Sequence, residues 1–96
     1  HYITIHLHEK VTLEKVAEAV GLSACHLSRI FRKEVGMSMV DYVQKERVEA
    51  AKHMLANSDE TLAAISQYLY FSTQSYFIRI FKKYTGVTPG QYRRSH

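Results

Sequence analysis

A single cysteine, Cys25, among 96 residues leaves nothing for an intramolecular disulfide and no cluster of thiolates for zinc. Packing alone must hold the fold, and the composition suits a reducing compartment, so a cytoplasmic location is expected. No apolar run approaches the roughly 18 residues of a membrane span and no signal peptide is visible, so no membrane partner is expected. Strand-like alternation, low-complexity tracts and flexible linkers are also missing.

Catalytic constellations are equally scarce. A cysteine near a helix start can have a lowered pKa, but His26, the neighbour of Cys25, would point about 100° away on a helix and is no ready base. His6 and His8 are two residues apart, not three or four, and do not share a helix face as metal ligands would. There is no glycine-rich phosphate loop and no pair of carboxylates placed for acid–base work. The expectation is a chain that is not an enzyme and needs neither cofactor nor metal.

What is present is one pattern written twice. Thr12, Leu13, Val16, Val20, Leu22 and Ser23 answer to Thr61, Leu62, Ile65, Leu69, Phe71 and Ser72 at a constant offset. The offset then grows by one, and Leu27, Arg29, Ile30, Phe31, Lys33, Gly36 and Tyr42 answer to Phe77, Arg79, Ile80, Phe81, Lys83, Gly86 and Tyr92. One inserted residue between Ser72 and Phe77, with both flanks in step, reads as a lengthened turn between two repeated helices. The chain is expected to hold two helix-turn-helix units. A hydrophobic content of 46% is enough for compact cores.

Periodicity predicts an all-α fold. Tyr2, Ile3, Leu7 and Val11 suggest a weak first helix ending before Thr12. Thr12 is an N-cap for a helix burying Leu13, Val16, Ala17 and Val20, which Gly21 ends. Ser23 caps the next, with Leu27, Ile30, Phe31 and Val35 inward and Gly36 closing it. A longer spacer helix follows, with Val40, Val43, Arg47, Ala50, Ala51, Met54 and Leu55 at helical intervals and His53 partly packed. Thr61 then caps a helix burying Leu62, Ile65, Ser66 and Leu69. Ser72 is read as the cap of the following helix, which buries Phe77, Ile80 and Phe81 and ends near Gly86. Pro89 opens a last short helix. The expected division is 1–37, 38–56 and 57–96: first unit, linker helix, second unit.

If those apolar stripes are inward, Ala24, Cys25, Ser28, Arg29 and Arg32 face outward on one helix, and Thr73, Gln74, Ser75, Ile78, Arg79, Lys82 and Lys83 on the other. Small or hydrogen-bonding residues at the start with cations along the flank suit a helix entering the DNA major groove. Arginine can bridge O6 and N7 of guanine, and glutamine can do the same at adenine. Ser23 and Ser72, with the N–H groups they cap, would face phosphate. Arg32, Lys33, Lys82 and Lys83 are further phosphate candidates. A net charge of +4 and a pI near 9.3 make a polyanion a reasonable partner. The competing reading is a helical protein-interaction module with a basic face for an acidic partner.

The paired halves resemble the DNA-binding domain of the AraC/XylS transcription regulators. The resemblance is carried by Tyr42, Arg47, Ala50 and Leu55 in the spacer and by a C-terminal run. That run comprises Phe71, Ser75, Tyr76, Phe77, Arg79, Phe81, Lys82, Lys83, Gly86, Thr88, Pro89, Tyr92 and Arg93. It implies about seven helices, with the second helix of each unit in one of two successive major grooves of double-stranded DNA. It also implies an asymmetric promoter site, activation through RNA polymerase, and a separate N-terminal regulatory domain, which a chain starting at His1 would lack. The family's base-reading places fall on Ala24, Cys25, Ser28, Arg29, Thr73, Gln74, Ser75, Ile78 and Arg79. Two departures stand out: Tyr70 replaces a glycine in the second turn, and Ile78 replaces a small polar residue.

Overall fold

The computed structural model describes residues 2–96, apart from the side chains of Tyr2 and Thr4. Among these, seven helices follow one another: α1 (Tyr2–Ile5), α2 (Leu13–Val20), α3 (Ala24–Val35), α4 (Met39–Asn57), α5 (Leu62–Tyr68), α6 (Gln74–Thr85) and α7 (Pro89–Ser95). Two helix-turn-helix units, α2–α3 and α5–α6, flank α4 in an elongated body of 43 × 22 × 21 Å. The expected all-α, two-unit architecture is present.

Hydroxyl caps set the helix starts. Thr12, Ser23, Ser38, Thr61, Thr73 and Thr88 are all extended, and each accepts from the N–H three residues on. Each such cap contributes about 1 kcal/mol. Ser72 does not cap α6, contrary to the sequence expectation: Thr73 accepts from Tyr76 N at 3.0 Å. The turn itself supplies the reason. Leu22 N donates to Ala17 O and Phe71 N to Ser66 O, both at 2.9 Å, still at the first offset, whereas the caps Ser23 and Thr73 are already at the second. Ser72 is therefore the inserted residue, and the cap moves on by one.

Both turns need a left-handed residue. Gly21 takes φ 76°, and Tyr70, its counterpart, is the only non-glycine at positive φ among the described residues, at 63°. The hydrogen bonds match, with Gly21 N to Glu18 O at 3.3 Å and Tyr70 N to Gln67 O at 3.1 Å. The second turn thus adopts the glycine conformation without the glycine.

One continuous core runs through the molecule, from Ile3, Val16, Ala17 and Leu27 through Val48, Ala51 and Leu55 to Ile65, Leu69, Phe77, Ile80 and Phe81. An edge-to-face aromatic pair recurs in each half: Phe31 with Tyr42 at 5.2 Å and Phe81 with Tyr92 at 5.6 Å. Several residues expected inward are not. Val20 and Val35 are 52% and 40% exposed because they sit at helix ends beyond the packed stripe, and Val40 is exposed at the start of α4. Ile30 is 37% exposed while its counterpart Ile80 is 6% exposed, since α6 packs on α4 and α3 has no equivalent cover there. His53 is exposed and pairs with Asn57 on the helix surface rather than packing.

Two arginines close the units. Arg47 donates from Nε to Leu7 O (3.1 Å) and from Nη2 to Glu9 O (2.7 Å). Arg93 donates from Nε to Leu55 O and from Nη2 to Ser58 O, both at 3.2 Å. Glu9 and Ser58 each lie three residues before the N-cap of their unit, so the same backbone bend is pinned twice. Burial pushes the Arg47 guanidinium below its usual range, partly offset by the Tyr70 hydroxyl; an arginine stays charged regardless. The Glu9 carboxyl is held below the ordinary carboxylate range, first by its 2.6 Å hydrogen bond with His6.

Candidate nucleic-acid interface

Helices α3 and α6 are both 12 residues long, and both leave their first turn free of acidic residues. By contrast, α2 and α4 carry Glu14 and Asp41 there. The partial positive charge at the starts of α3 and α6 is therefore not offset from within the helix, which favours an approaching anion. Gly36 and Gly86 end the two helices in the left-handed conformation.

On α3, Cys25, Ser28, Arg29, Arg32 and Lys33 are exposed, and Ala24 is half-buried against the core. The Cys25 thiol is free. Ser23 Oγ, one of the phosphate candidates, accepts from His26 N at 3.2 Å and is exposed. On and before α6, Ser72, Thr73, Gln74, Ser75, Arg79, Lys82 and Lys83 are exposed, whereas Ile78 is partly buried against the core. Thr73, named from the sequence as a base reader, has its hydroxyl engaged as the cap of α6. Ser72 stands in the turn ahead of that cap.

None of the six flank cations, Arg29, Arg32, Lys33, Arg79, Lys82 and Lys83, meets a carboxylate among the described residues. Arg79 and Lys83 instead lie over aromatic rings. The Arg79 guanidinium carbon is 5.3 Å from the Tyr76 ring centroid and the Lys83 Nζ 5.4 Å from that of Tyr84. A ring face holds a cation in place without neutralising it. Such groups remain available for phosphate or a base edge.

Sequence reasoning did not single out Gln44, whose Nε2 donates to the Tyr76 hydroxyl at 2.6 Å. Its signal was present in the spacing of Tyr76, Ile80 and Tyr84, which repeats every four residues on one face of α6. Among the described residues no helix is long and apolar enough to cross a membrane.

Residues 16–95 match a family described as a helix-turn-helix domain. The chain is 38% identical over 93 residues to YbfP, an HTH-type transcriptional regulator of Bacillus subtilis, covering 97% of this chain and 32% of that protein. It therefore spans about a third of that relative's length. Among solved structures, the C-terminal domain of AraT, a response regulator from Geobacillus stearothermophilus, is 38% identical with a TM-score of 0.91, over 99% of this chain and 79% of that one. The DNA-binding domain of AdpA, solved in complex with a target DNA, shares the fold at 24% identity and a TM-score of 0.91, over 98% and 85% of the two chains. Two capped helices whose flank cations meet no carboxylate among the described residues, carried on duplicated helix-turn-helix units, agree with these matches, and the chain belongs to the AraC-type family of helix-turn-helix DNA-binding domains of transcription regulators.

Proposed function

We propose that the domain reads an asymmetric promoter site in double-stranded DNA, with α3 and α6 in two successive major grooves. The observation that carries this reading is the pair of outward helices whose six cations meet no carboxylate among the described residues. Cys25, Ser28 and Arg29, with Ala24 at the edge, face base edges in the first half. Gln74, Ser75 and Arg79 do so in the second, flanked by Thr73 and Ile78. Ser23, Arg32, Lys33, Ser72, Lys82 and Lys83 contact phosphate. Arginine and glutamine offer bidentate readout, so the second half carries more hydrogen-bond specificity than the first. The AdpA domain, of the same fold, binds target DNA, which supports the comparison.

The division into a first unit over 1–37, a linker over 38–56 and a second unit over 57–96 belongs to this reading. So do a cytoplasmic location, activation through contact with RNA polymerase, and a regulatory domain joined to this one in the full protein. The reading helices must then lie near one DNA turn apart, roughly 34 Å. Selection of bound sites from random duplexes tests it. The expected product is a bipartite, non-palindromic site whose affinity falls steeply with salt. If no duplex binds at about 50 mM salt, the DNA reading fails, since phosphate contacts are strongest there, and a helical protein-interaction module becomes the better account.

A further inference from the structure

The contact between α6 and the first turns of α4 has no counterpart in the first unit. Tyr76, Ile80 and Tyr84 form one stripe on α6. The Tyr76 hydroxyl accepts from Gln44 at 2.6 Å, the Tyr84 hydroxyl reaches Asp41 O at 3.4 Å, and Ile80 is buried between them. The corresponding stripe on α3 is His26, Ile30 and Glu34, all exposed. Only the second reading helix is fastened to the linker by side-chain hydrogen bonds among the described residues. The same stretch of α4 holds the first unit through Tyr42, which packs on Phe31. This seam is the direct joint between α6 and the part of α4 that holds the first unit, and Tyr76 continues it outward by carrying Arg79 on its ring.

We propose that Gln44 and Tyr76 are positioning residues that set which spacing between the two half-sites the domain accepts. The proposal rests on the bipartite reading above. Neither residue needs to touch a base. Inserting one base pair moves the second half-site by about 3.4 Å and rotates it by about 35°. The Gln44–Tyr76 hydrogen bond resists the matching displacement of α6, and releasing it lets α6 follow.

The test is fluorescence anisotropy on three duplexes: the selected site, and the same site with one base pair added or removed between its halves. Wild type should discriminate against both altered spacings. A hydrogen bond of this kind is worth about 0.5–1.5 kcal/mol, so Gln44→Ala and Tyr76→Phe should each reduce that discrimination by roughly two- to tenfold. Tyr76→Phe keeps the ring beneath Arg79. Gln44→Glu keeps a partner for the tyrosine hydroxyl and should retain the wild-type ratio. On a duplex carrying only the second half-site, Gln44→Ala should bind as wild type does. The proposal is overturned if both variants, folded by circular dichroism, keep the wild-type ratio, or if they weaken all three duplexes equally. Indifference of the wild type to spacing also overturns it. A wild type that binds no duplex overturns the DNA reading itself, a result separate from the others.

Discussion

Replacing Tyr70 by glycine and by alanine separates backbone strain from side-chain contact at the turn between α5 and α6. Tyr70 holds φ 63°, in the left-handed region, where a residue with a Cβ is disfavoured by about 1–2 kcal/mol. Its ring is half exposed and lies under the Arg47 guanidinium, whose carbon is 5.8 Å from the centroid. At such a site that contact is worth about 0.5–1 kcal/mol. Alanine loses the ring and keeps the strain, so Tyr70→Ala should be destabilised by about 1 kcal/mol. Glycine loses the ring and the strain, while the unfolded chain gains freedom worth about 0.4–1 kcal/mol. Tyr70→Gly should therefore lie near wild type and above Tyr70→Ala by about 1 kcal/mol.

Urea titration read by circular dichroism measures the order through the midpoint at constant slope. A difference of 1 kcal/mol corresponds to about 4–8 °C in Tm for a domain of this size. Gly21→Ala is the mirror experiment. A Cβ at Gly21 meets nothing within 4 Å, so its loss of about 1 kcal/mol would be backbone alone. If Tyr70→Ala proves as stable as Tyr70→Gly, the turn is not strained and the reasoning is wrong.

Four further outcomes are expected. Ile80→Ala should destabilise by about 2–5 kcal/mol and Ile30→Ala by clearly less, measured by the same titration, because only Ile80 is covered. Arg93→Ala removes two donors from the Leu55 and Ser58 carbonyls and should lose about 1–3 kcal/mol, with Arg93→Lys recovering only part since it cannot span both. Arg79→Ala should weaken the cognate site by about 1–3 kcal/mol and relax selectivity in one half-site, whereas Lys83→Ala weakens all sequences alike; equal losses on specific and nonspecific duplexes for Arg79→Ala would make it a phosphate contact only. The depressed Glu9 carboxyl stabilises the fold at pH above the ordinary carboxylate range, and that contribution disappears as pH falls through its lowered folded value. A carboxyl NMR titration should show its midpoint rise in His6→Ala, and an unmoved midpoint would assign the shift to another group.

Much of the fold was legible because duplication doubles the evidence for each position. Apolar stripes and hydroxyl caps at matched offsets placed both units, and Tyr70 was singled out as a departure from the glycine that the family resemblance implies in the second turn. The cap of α6 was misplaced for the same reason: Ser72 matches Ser23 by identity, and only the hydrogen bonds reveal that Thr73 is its counterpart and Ser72 the extra residue. Ile30 and Ile80 read alike in sequence, yet their burial depends on whether another helix lies over them, which no local pattern records. The outward residues of α3 and α6 followed from the stripes. Gln44 did not, because an amide on a linker helix looks like solvent-facing polarity until Tyr76 is found opposite it. Arg47 stood out as a cation on an otherwise apolar stripe, but its partners, the Leu7 and Glu9 carbonyls, were not legible from the sequence.

The exposed stripe of His26, Ile30 and Glu34 gives the duplication a direction. In a stacked array each unit offers a face to its neighbour, and the unit at the end needs a wettable outer face. Here Tyr76 and Tyr84 build the joint, and a histidine and a glutamate stand at the same two places on the first unit. Of the two units, only the second turns a tyrosine face onto α4, and converting His26 and Glu34 to tyrosine would give the first unit an uncovered copy of that face.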